Sequence, residues 1–146
     1  MNQDARRNLE DLLDREIEAA RLLSTTLAAE RGALTGTAPE AVQQKAAEKI
    51  HLLDMIERLE RERQAVCAHS GLDDVPKVGG IVSERWRALM ELMAGCRTAN
   101  EINGYIIHVR QNQIRQLMDI LRGTTPVTYG PQGKTFARAL RALARA

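Results

Sequence analysis

Stepping alternately by four and three from Val82 gives Val82, Trp86, Leu89, Met93, Cys96, Asn100, Asn103, Ile107, Arg110, Ile114, Leu117 and Leu121. Nine of these twelve positions are apolar, so the stretch reads as a left-handed coiled-coil seam held for more than five heptads. No proline interrupts it, and Ser83 followed by Glu84 offers an N-cap and an acidic first turn. The spacing predicts a helix over 83–122. At about 1.5 Å per residue such a helix is about 60 Å long, a length that suits a rod-like bundle and not a compact globule.

Composition points the same way. Aromatic residues make up 3% of the 146 residues and no stretch alternates like a strand, which is the profile of an all-α chain. Two further helices are expected before the seam. The first, over 4–34, starts from Asp4 as a cap and carries the stripe Leu9, Leu12, Leu13, Ile17, Ala20, Leu23, Leu27 and Leu34. Thr35-Gly36-Thr37-Ala38-Pro39 ends it, and Thr37 with Glu40 has capping-box spacing for a second helix over 38–69. That helix carries Val42, Ala46, Ile50, Leu53, Ile56, Leu59 and Val66 and stops at Gly71. A short connection makes the two antiparallel neighbours. The run Glu57 to Arg63 alternates in sign and reads as a solvated face with local ion pairs. The loop from Ser70 to Gly80 is expected to anchor Leu72, Val75 and Val78 on the bundle end.

After the seam helix comes Gly123, then a Pro- and Gly-rich strap over 124–133 that carries Tyr129. Residues 134–146 form a short amphipathic pattern, with Phe136, Leu140 and Leu143 on one side and Arg138, Arg141 and Arg145 around the other. The expected architecture is thus an antiparallel helical bundle or coiled coil of three long helices over 1–123, plus a flexible strap and a short C-terminal amphipathic helix over 124–146. Within the seam, Asn100 and Asn103 place amides at helix contacts, where a buried Asn fixes register. Gly104 next to them costs about 1 kcal/mol in a helix interior, so close approach of another helix is expected there.

Chemistry is sparse. His51, His69 and His108 are scattered without a second ligand at helical spacing, Gly79-Gly80 lacks the Lys-Ser/Thr of a phosphate loop, and no nucleophile-elbow pattern occurs. Neither enzymatic activity nor a metal or other cofactor is expected; the adjacent Asp73 and Asp74 lack calcium-loop spacing. Cys67 and Cys96 fall on or near apolar faces and read as reduced core residues. Apolar runs are too short to cross a membrane, and Met1-Asn2-Gln3-Asp4 lacks a secretory layout, so the expected compartment is the cytoplasm. Formal charge is +2 overall, with four basic and no acidic side chains after Gly123.

Three features then occur together: Trp86 early in a long helix, Asn-x-x-Asn-Gly followed by aliphatics from Asn100 to Ile107, and the strap Tyr129 to Gly133. Behind two Leu- and Glu-rich helices, this arrangement resembles the FlgN family of flagellar type III export chaperones. The resemblance implies a cytosolic, non-enzymatic chaperone. Its clients would be the C-terminal helical ends of the hook–filament junction proteins FlgK and FlgL. It would hand them to the cytoplasmic domain of the export-gate protein FlhA, with Tyr129 at the strap position implicated in gate docking.

The residues make that role sensible on their own terms. A seam helix longer than its neighbours leaves Ile114, Leu117, Met118 and Leu121 as a groove for an amphipathic helix. Phe136, Leu140 and Leu143 of the tail match that face and complete the expected client-binding set, capping the groove when it is empty. Two other readings stand beside it: a helical adaptor that binds nucleic acid through its basic tail, and a structural coiled coil that self-associates. The lack of aromatic stacking residues on the basic face apart from Phe136 weighs against nucleic acid.

Overall fold

The first helix, α1 (Gln3–Leu34), opens one step earlier than its first acidic residue suggests. Asn2 is the cap, its Oδ1 accepting the Ala5 N–H at 2.7 Å, and Asp4 instead sits in the first turn, where its charge meets the positive end of the helix dipole. All eight residues of the expected α1 stripe are buried. In the computed structural model, which describes residues 1–73 and 75–123, α1 is followed by α2 (Pro39–His69), a single 3-10 turn (Val75–Val78) and α3 (Gly80–Leu121). No strand occurs among the described residues. The chain divides into two units, residues 1–101 and 102–146.

In the first unit α1, α2 and the opening half of α3 share two apolar clusters. One gathers Leu9, Leu13, Ile17 and Ala20 of α1 with Cys67, Val75, Val82 and Leu89. Leu72, Val78 and Trp86 pack on this cluster, so the loop anchors expected from the sequence are in place. The other joins Leu12, Ala19, Leu23 and Leu27 to Leu52, Ile56, Leu59 and Cys96. Both cysteines are free and buried, and desolvation pushes both thiols up. Seam positions Val82, Leu89 and Cys96 are thus core residues, while Trp86 and Met93 are half-buried at its edge.

The inward face of α2 departs from the expected stripe. Ile50 and Leu53 are 58% and 42% exposed, while Leu52, Ile56, Leu59, Arg63 and Cys67 turn inward. The cause lies on α1, whose buried arc includes the carboxylates Glu16 and Glu30. An uncompensated buried carboxylate is costly, and α2 rotates to supply the cations. Arg63 Nε donates to Glu16 at 2.9 and 3.2 Å, and Lys49 Nζ lies 3.0 Å from Glu30. The two pairs are fourteen residues apart on each helix, 16 to 30 and 49 to 63. Arg63 therefore leaves the solvated face assigned to the run from Glu57, and its guanidinium also stacks 4.6 Å from the Trp86 ring centroid.

Burial pushes the Glu16 carboxyl above its ordinary value of 4.5, Arg63 pulls it back through charge and hydrogen bonding, and Glu60 adds to the rise. The folded state therefore holds this proton more tightly than the unfolded chain. The group's contribution is full below about pH 4.5 and is lost as pH rises through the folded value. Urea midpoints taken between acid and neutral pH are expected to show that decline, and Glu16→Gln, which cannot ionise, to flatten it.

Helix ends follow local chemistry. Pro39 takes the first turn of α2 as expected, but Ala38 is the cap and no side chain bonds there, so the Thr37–Glu40 box does not form. At the other end Gly71 (φ +66°) completes a Schellman motif, with Leu72 N–H to Cys67 O at 2.9 Å and Gly71 N–H to Ala68 O at 3.2 Å. α3 begins three residues before Ser83. That serine instead ties the junction, accepting from Gly79 N–H at 2.9 Å and donating to Pro76 O at 2.7 Å. Gly80 has φ +60°, and a Cβ there would lie 2.9 Å from Arg6 Nη2. Gly80→Ala is expected to lower stability by about 1–2 kcal/mol in urea unfolding.

Candidate functional site

The second unit is described over residues 102–123, the closing half of α3. Its helical phase makes the site. Residues three, four and seven apart share a helix face, so Ile114, Leu117, Met118 and Leu121 form one row. Ile114 is 58% exposed, Met118 40% and Leu121 74%, with Leu117 half-buried. These side chains therefore present an apolar row to solvent. Covering the three exposed members would contribute on the order of 3–5 kcal/mol.

A second row lies beside the first and escaped the seam reading. Ile102, Ile106, Val109 and Ile120 recur at helical spacing, with Ile102 exposed and the other three half-buried. Tyr105 flanks them and is 69% exposed. The four-and-three pattern selects a single stripe, whereas this helix carries two adjacent ones. Listing apolar residues by the 3.6-residue period alone would have found the second. Together they give an apolar arc wider than one neighbouring helix covers. The opposite side is polar, and Asn112 Nδ2 donates to His108 Nε2 at 3.2 Å there.

The two amides of the expected polar layer differ in exposure. Asn103 is fully buried. Asn100 is exposed, and its Oδ1 accepts from Lys49 Nζ at 3.2 Å, extending the Glu30–Lys49 pair onto α3. Gly104 is exposed, and among the described residues a Cβ there would meet nothing within 4 Å. Close helix approach at Gly104 is thus corrected: one residue past Asn103 it is rotated about 100° off the seam. Arg110, at a seam position, is half-buried, and Arg115 and Arg122 are exposed along the Met118 edge of the row.

Gly123, with φ +72°, ends α3 as its C′ residue, its N–H bonded to Ile120 O at 3.1 Å. Tyr129, Phe136, Leu140 and Leu143, with the strap and the short amphipathic helix expected there, lie outside the described residues. So does Asp74. No described helix is long and apolar enough to cross a membrane.

A family described as "FlgN protein" matches residues 1–136. The flagella synthesis protein FlgN of Salmonella typhimurium is 25% identical over 133 residues, covering 87% of this chain and 89% of that protein. The protein of the same name from Salmonella typhi matches to the same extent. No solved structure matches the chain.

Proposed function

The chain belongs to the FlgN family, and from that premise we propose that it is a cytoplasmic flagellar export chaperone whose client helix lies on the closing half of α3. Its clients are the C-terminal helical ends of the hook–filament junction proteins FlgK and FlgL, and it delivers them to the cytoplasmic domain of FlhA. The observation that carries this reading is the uncovered row of Ile114, Met118 and Leu121 in a chain that otherwise buries its long aliphatic stripe on α1 completely.

Helix-in-groove recognition fits what that row offers. An amphipathic client presents apolar side chains at positions i, i+3, i+4 and i+7, the same spacing that the row displays. Covering it keeps the client from polymerising. No bond is made or broken, so the chemistry is one of burial alone.

Titrating the full-length chain with a synthetic C-terminal segment of a junction protein tests this. A saturable one-to-one signal with a negative heat-capacity change is the expected result, and absence of binding overturns the proposal. Tyr129 serves a separate step in this scheme. Tyr129→Ala is expected to retain client affinity and to lose export of junction proteins into the medium. Unfolding of that variant, read by circular dichroism, would make the tyrosine a structural residue.

A further inference from the structure

Charge is divided unevenly between the two units, and that division says which kind of helix the site accepts. Up to Glu101 the chain has 18 acidic and 14 basic side chains, and from Ile102 onward it has 1 acidic and 7 basic, so the first unit is −4 and the second +6. On α3 itself, residues 102–123 hold Arg110, Arg115 and Arg122 against a lone acidic residue, Asp119.

The arginines of the two units are also used differently. In the first, at least seven of eleven lie within 4.0 Å of a carboxylate. Among the described residues none of Arg110, Arg115 and Arg122 has such a partner. They nonetheless stand at the apolar row: Arg110 is four residues before Ile114 in the same line, and Arg115 and Arg122, seven apart, run along its Met118 edge.

We infer that the partner of this face is an acidic amphipathic helix, whose apolar stripe covers Ile114, Leu117, Met118 and Leu121 and whose carboxylates meet Arg110, Arg115 and Arg122. The inference rests on the client-binding reading above and adds the charge of the ligand to it. Arginine suits this task because its planar guanidinium takes a carboxylate in two parallel hydrogen bonds. The apolar row supplies affinity, and the arginines supply orientation and choice among helices of similar stripe. The chain's own tail is the wrong sign for the site. Residues 124–146 carry four basic and no acidic side chains, so seating them here would set like charges together.

Three peptides of about 20 residues with identical Leu and Ile positions and a polar face of Glu, Gln or Lys provide the test. They are titrated into the full-length chain at about 50 mM salt, where surface charges still act across about 10 Å. The Glu peptide is expected to bind at least about tenfold more tightly than the Lys peptide, with Gln between and the preference shrinking as salt is raised. Arg115→Glu combined with Arg122→Glu changes two exposed side chains, so it leaves folding intact and is expected to reverse the order.

Equal binding of all three peptides, or an order unmoved by the double charge reversal, overturns the inference. If a junction-protein segment still binds in that case, the client-binding reading survives without it. Failure of every peptide and of the junction-protein segment removes both. Tighter association with anionic lipid vesicles or single-stranded RNA than with the Glu peptide also overturns it, and makes the basic face a site for polyanions.

Discussion

Replacing Arg63 with alanine is expected to cost the fold about 3–5 kcal/mol near neutral pH, the range for breaking a buried ion pair from one side. Arg63 is 8% exposed and Glu16 2%, so the substitution strands a carboxylate that water cannot reach. It also removes the cation from the face of Trp86. Arg63, by its charge and its hydrogen bond, holds the Glu16 carboxyl down against desolvation. Without it the carboxyl rises further, and the loss should shrink in acid, where Glu16 is neutral. Urea unfolding at neutral and acidic pH measures both parts. A companion variant, Glu16→Leu with Arg63→Met, takes out both charges together and is expected to recover most of the loss, since apolar residues of similar volume replace buried pairs well. If Arg63→Ala proves as stable as the parent chain, the pair is an ornament of the interior and not a support.

The second large effect is functional. Ile114→Asp combined with Met118→Asp is expected to weaken binding of a junction-protein segment by at least about a hundredfold, because two apolar anchors become charges that a covering helix must desolvate. Both positions are exposed, at 58% and 40%, and surface changes of this kind usually alter stability by no more than about 0.5 kcal/mol. Calorimetry of binding together with thermal unfolding separates the two consequences. Retained affinity in a folded double variant would move the client elsewhere on the molecule.

How far the sequence discloses this protein depends on which interactions dominate locally. Where apolar packing decides, the letters suffice. The α1 stripe from Leu9 to Leu34 is buried at each expected position, and Gly71 and Gly123 end their helices with the positive φ that their placement implies. Where polar groups decide, they do not. The inward face of α2 is set by Arg63 and Lys49 answering Glu16 and Glu30, and a hydrophobic reading prefers Ile50 and Leu53 instead. Helix starts are missed for a similar reason. Ser83 looks like a cap by type, yet its hydroxyl bonds Gly79 and Pro76 from inside the helix.

At the candidate site the first row, Ile114 to Leu121, follows from the four-and-three spacing. The flank of Ile102, Ile106, Val109 and Ile120 does not, because a single-seam template discards residues just beside its line. Asn100 and Asn103 look equivalent in the sequence but stand on opposite sides of a solvent boundary. No pattern of residue types reports which of two neighbouring amides will be buried.

The matched spacing of the two interior ion pairs has a consequence for how α1 and α2 find each other. Long leucine-rich helices have many near-degenerate alignments, since a slide by one heptad replaces one oily contact with another. Here such a slide in one direction sets Glu16 beside Ile56 and Glu30 beside Val42, and in the other Glu16 beside Ser70 and Glu30 beside Ile56. Each wrong alignment strands both acids at once, so the two bridges act like pins in a lock that opens at one offset and rejects its decoys while the hairpin is still forming.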